Sequence, residues 1–120
     1  MSYERKHDWR GVIRKIDPEA EQRLGDYVSH VLHRDSEIPR KYKELILMAC
    51  SAAIRYGSSV RSHGSEAIKR GATDKEIIEV LTLASMPAGF TVLVEGIEAL
   101  GDVLAQAGEE AKQSAKTPGN

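Results

Sequence analysis

The chain has 120 residues, enough for one domain and too few for a second core. Hydrophobic residues make up 41% of it, which sets it apart from disordered chains. Seventeen basic residues against eighteen acidic ones give a formal charge of −1, so no net basic field is available to hold a nucleic-acid backbone.

The first 16 residues read as an N-terminal arm that carries His7 and Trp9. Asp17-Pro18 then predicts a helix start, with Asp17 as N-cap and Pro18 at the first helical position. Leu24, Tyr27, Val28, Val31 and Leu32 recur at helical spacing, so this helix should reach about His33. A polar break follows, and Pro39 opens a second helix, with Ser36 or Glu37 near its cap. Between Leu45 and Ile54 only Ser51 is polar, which predicts a central helix buried on all sides, with a neighbouring subunit covering one face, and ended by Gly57. Ser58 to Arg70 reads as a more polar third helix, closed at Gly71-Ala72. Thr73 and Glu76 form a capping box for the fourth, whose expected buried stripe is Ile77, Ile78, Val80, Leu81 and Ala84. The stretch Pro87-Ala88-Gly89 breaks it. Phe90, Leu93, Val94, Ile97, Leu100 and Leu104 mark a last helix, in which Gly96 and Gly101 are candidates for close packing. The polar stretch 109–120 is expected to be disordered. Alternation at period two is nowhere sustained. The expected fold is therefore an all-α bundle of about five or six helices, forming one domain over 1–120.

A single cysteine excludes an intramolecular disulfide, a C-x-x-C redox pair and a cysteine-rich zinc site. No apolar run approaches the roughly 20 residues of a membrane span, and MSYERKHDWR lacks an apolar signal segment. The expectation is a soluble cytoplasmic protein without membrane or nucleic-acid partners.

His63 is the leading candidate for chemistry, because imidazole exchanges protons near neutral pH. Its plain alternative is a surface histidine on a polar helix. Glu44 precedes the apolar run and, paired with His63, would fix the ring's tautomer. Alone, it is a solvated carboxylate beside Lys41 or Lys43. Glu44 stands 13 residues before Gly57 and His63 six after, so a plain antiparallel hairpin is not expected to join them. Tyr56 and Ser59 offer hydroxyl donors to a developing oxyanion, or else pack at the surface and cap the third helix. Arg40 and Arg61 are candidate carboxylate clamps. Cys50 reads as an inert core thiol, and His30 and His33 as surface residues without the further ligands a metal needs. No metal or cofactor is expected.

From Pro39 to Gly89 the chain resembles the carboxymuconolactone decarboxylase family, of the alkylhydroperoxidase D-like fold. The register H-x-x-x-A-x-x-x-G-A-T-x-x-E-I-x-E-V-L, from His63 to Leu81, carries the resemblance. Peroxidase-like members pair a glutamate with a C-x-x-C and a histidine four residues beyond it. By that register Glu44 and His63 are kept, while Tyr56 and Ser59 stand at the two cysteine positions. Dithiol peroxide reduction is thus not implied, since a serine hydroxyl is not redox active. The decarboxylase members, which also lack the thiols, imply a lyase of aromatic-compound catabolism. It would protonate a dienolate after carbon dioxide leaves. Glu44 departs from their pattern, so acid–base work on another small carboxylated or lactone-type compound is equally implied. Family members assemble as homotrimers or hexamers. Two other readings stand beside the enzyme: a catalytically silent member that binds a small ligand or partner protein, and a thiol peroxidase through Cys50.

Overall fold

Aspartates set the first two helix starts. Asp8 Oδ1 accepts from the Gly11 amide at 3.2 Å and Asp17 Oδ1 from the Ala20 amide at 3.0 Å. The computed structural model describes residues 7–116, with side chains as far as 104. Within that span it is all-helical: α1 (Trp9–Ile16), α2 (Pro18–Val28), α3 (Arg40–Ala53), α4 (Gly57–Lys69), α5 (Asp74–Ala88) and α6 (Phe90–Lys116). A π-helical turn over Ser29–His33 extends α2, with the Arg34 amide donating to the Ser29 carbonyl at 2.9 Å. The expected all-α bundle is what the chain forms.

The arm is helical over Trp9–Ile16 and packs along α2, where Arg10 and Arg14 both reach Glu21; residues 1–6 of the arm lie outside the described residues. Neither α1 nor α2 buries a residue. The core sits instead among α3, α4, α5 and α6, centred on Met48, Val60, Ile77, Leu81, Val92 and Leu100.

Both ends of α3 differ from expectation. Pro39, without a side-chain cap, precedes α3. That helix ends at Ala53, ahead of Gly57, which instead becomes the first residue of α4. The left-handed corner is taken by Arg55, at φ +65°, whose guanidinium spans both oxygens of Glu95 on α6 at 2.5 Å. The side-chain clasp offsets a backbone conformation that a non-glycine residue otherwise avoids. The stretch Pro87-Ala88-Gly89 ends α5 as expected: Pro87 lies inside the helix, where only the last turn must do without its amide, and the break comes at Gly89 with φ +104°. The backbone of 109–116 continues α6, and 117–120, the rest of the expected tail, lie outside the described residues.

Burial is narrower than the apolar runs implied. In the single chain α3 buries only the stripe Glu44, Leu45, Met48, Ser51 and Ala52, leaving Ile46, Cys50 and Ile54 exposed. A 14-residue helix packed against neighbours on one side turns its other face outward whatever that face contains. The same holds for Ile78 on α5 and for Phe90 and Val94 on α6. Where helices cross most tightly the sequence supplies glycine. A Cβ on Gly64 would meet Leu100 Cδ2 at 2.7 Å, and one on Gly96 would meet Leu81 Cδ2 at 2.8 Å. Gly101 has no such neighbour, so close packing accounts for Gly96 alone of that pair. The capping box of α5 forms as expected. The Thr73 amide and the Lys41 ammonium hold the Glu76 carboxyl below the usual range.

Candidate functional site

Glu44 is part of the core stripe of α3, 1% exposed, rather than an edge residue. A buried carboxylate is costly unless its oxygens are hydrogen-bonded. Both are. Arg40 Nε, one turn back on α3, donates to Oε1 at 3.0 Å, and His63 Nδ1, from α4, lies 2.7 Å from Oε2. Arg40 and His63 are partly exposed, at 22% and 24% of their side chains. The arrangement is thus a buried anion reached by two partly exposed nitrogen groups.

The expected mismatch between Glu44 and His63 does not arise. Glu44 lies nine residues before the end of α3 at Ala53, about 13.5 Å, and His63 six residues after Gly57, about 9 Å. The chain turns within residues 54–56, which add no helical rise, and the remaining offset of about 4.5 Å is within side-chain reach.

Arginine only donates, so Glu44 Oε1 accepts from Arg40 Nε. With Glu44 as the carboxylate, which only accepts, the proton on the His63 contact sits on Nδ1. Nε2 is the ring nitrogen not engaged with Glu44.

Ser59 precedes His63 by four residues, one turn back on the same face of α4, and Tyr56 is the N-cap residue just ahead of that helix. The Tyr56 carbonyl receives the Val60 amide at 3.0 Å, and its ring is half exposed. Ser59 does not cap α4. Its Oγ lies 2.8 Å from Ser51 Oγ, and Ser51 in turn donates to the Leu47 carbonyl at 2.7 Å. Ser51, in the sequence only the polar exception in an apolar run, is thus a further polar member of this cluster. Its single available signal was a hydroxyl seven residues, or two turns, beyond Glu44 on the same helix face.

Arg61 is placed elsewhere. It grips both carboxylate oxygens of Asp102 on α6 and donates to the Ala99 carbonyl at 3.2 Å, and it holds the Asp102 carboxyl down to about 2. Of the two candidate clamps, only Arg40 is brought to Glu44 and His63. Among the described residues its Nη atoms carry no hydrogen bond. Cys50 is exposed, contrary to the core thiol expected, and lies about 120° round α3 from Glu44. His30 and His33 are exposed, and among the described residues no three His, Cys, Asp or Glu side chains are grouped to hold a metal ion. No helix among them is long and apolar enough to cross a membrane. A groove of about 580 Å³ runs between α3 and α5, but it opens beside Tyr42 and Ile46, on the side of α3 away from Glu44.

Comparison with curated proteins and with solved structures gives no match. The model of the carboxymuconolactone decarboxylase family matches residues 18–102, from the start of α2 to the Asp102 that clasps Arg61. That span includes Arg40, Glu44 and His63 and covers well over half the chain, so the protein belongs to the carboxymuconolactone decarboxylase family.

Proposed function

We propose that the protein is a cofactor-independent acid–base enzyme acting on a small carboxylated or lactone-type compound, with decarboxylation one of the reactions its residues can carry. The supporting observation is the buried Glu44 carboxylate at 2.7 Å from His63 Nδ1, which directs proton exchange to Nε2. Arg40 is the anion clamp, through the guanidinium nitrogens that Glu44 does not use. In a decarboxylation the bond to the carboxylate carbon breaks and carbon dioxide leaves. The electron pair passes to the conjugated carbonyl, and the dienolate takes a proton at carbon from the His63 imidazolium. Tyr56 donates to the carbonyl oxygen as its charge grows. Glu44 gives the imidazolium a counter-charge, and the partly exposed ring regains its proton from water.

The reaction is tested with 4-carboxymuconolactone and a panel of small lactone and β-keto carboxylates in D₂O, with no cofactor added. The expected result is carbon dioxide release, or deuterium entry at carbon, above the solvent background for at least one compound. Neither event with any of them would overturn the acid–base reading.

The same reading includes a homo-oligomer, a trimer or a hexamer. The support is the apolar surface one chain leaves open: Ile16 at 81%, Ile54 at 72% and Met86 at 80% exposure, besides the α3–α5 groove. The radius of gyration is 16.4 Å, against about 13.6 Å for a compact domain of this length. Light scattering on the eluted protein should give three or six times the mass of one chain. A monomer at micromolar concentration would refute this assembly.

A further inference from the structure

We propose that Ser59 offers the ligand a hydrogen-bond acceptor, so that the site selects a small carboxylic acid bearing a hydroxyl or N–H donor beside the His63 ring. This rests on the reading of the α4 edge at His63 as the ligand site, and it reverses the donor role expected for Ser59 from the sequence.

Two hydroxyl protons decide the direction of the serine pair. A serine hydroxyl has one proton and two lone pairs. Ser51 Oγ lies 2.7 Å from the Leu47 carbonyl, which only accepts, so the Ser51 proton is committed to that bond. Ser51 Oγ also lies 2.8 Å from Ser59 Oγ, and the proton between them must then come from Ser59. The Ser59 proton is therefore committed as well, and its oxygen has only lone pairs left. The reverse arrangement makes one hydrogen bond where this one makes two. Ser51 is 7% exposed, so water is poorly placed to replace the bond that would be lost.

Ser59 stands four residues before His63, where neighbouring helix side chains share a face about 5–6 Å apart. A ligand gripped near Arg40 and His63 thus meets a lone pair at Ser59. A hydroxyl satisfies it directly. A ketone or an oxyanion at the same place faces oxygen against oxygen unless the two-serine chain is broken. Ser51 is accordingly a positioning residue: it touches no ligand and sets the polarity of the one that does.

Neutron diffraction from deuterated crystals reads the serine polarity without any ligand or turnover. The Ser59 deuteron should lie towards Ser51 Oγ and the Ser51 deuteron towards the Leu47 carbonyl; a Ser59 deuteron turned away from Ser51 overturns the proposal. The ligand class is read by NMR titration with 3-hydroxycyclohexanecarboxylate and 3-oxocyclohexanecarboxylate. The hydroxy acid should bind roughly tenfold more tightly. That ratio should fall towards one in Ser59→Ala and shift towards the keto acid in Ser51→Ala, whose Ser59 proton is released. Equal or tighter binding of the keto acid by the unaltered protein, or binding of neither acid, overturns the ligand class. The deuteron positions stand or fall whether or not the protein catalyses proton transfer, so failure here is separable from failure of the acid–base reading.

Discussion

His63→Ala is expected to lower kcat by roughly 10²–10⁴ on whichever compound the protein turns over, the range for loss of a general acid or base. The alanine also strips Glu44 of one of its two hydrogen bonds, so a fall in stability of about 1–3 kcal/mol accompanies it. His63→Asn separates the two effects. Its amide Nδ2–H takes the place of the ring Nδ1–H and can still reach the Glu44 carboxylate, but it has no nitrogen that titrates. It should lose turnover as severely as the alanine variant while melting close to the unaltered protein. Turnover within a few-fold of normal in the asparagine variant would remove His63 from proton transfer.

Leu100→Ala should cost about 2–5 kcal/mol of stability. Leu100 is fully buried on α6, and its methyl groups lie in the notch that Gly64 leaves on α4, near Met48 of α3. Removing it takes packing from three helices at once, and the glycine has no side chain with which to fill the space. For a chain of 120 residues each kcal/mol moves Tm by about 4 °C, so the expected fall is about 8–20 °C in a calorimetric scan. Leu100→Met, which nearly conserves volume, should cost under about 1.5 kcal/mol. A loss below about 1 kcal/mol for the alanine would mean that α6 does not close the core as described.

The helices were legible in the sequence because their punctuation is local. Asp17-Pro18 and the Thr73–Glu76 capping box act within one turn, and both form as read. The faces of the helices were less legible. The run from Leu45 to Ile54 shows no polar side beyond Ser51, so its pattern could not tell Met48, which is buried, from Cys50, which is exposed. Only the neighbouring helices decide that. His63 and Glu44 could be named from residue type and spacing, but their meeting depended on where α3 stops. Arg55 taking the left-handed corner in place of Gly57 has no signal in composition, since its anchor Glu95 lies 40 residues away. Ser51 escaped for a related reason: a serine inside an apolar helix ordinarily bonds back to its own carbonyls, and the second partner is visible only across the hairpin.

The tight reversal at residues 54–56 makes chain length a part of the chemistry. Each added helical residue swings a side chain by about 100° and advances it about 1.5 Å. One insertion between Glu44 and the corner, or between the corner and His63, would carry the carboxylate and the ring past each other even with every side chain retained. Evolution can rewrite letters freely on the outer faces of α3 and α4, but between positions 44 and 63 it cannot change their number.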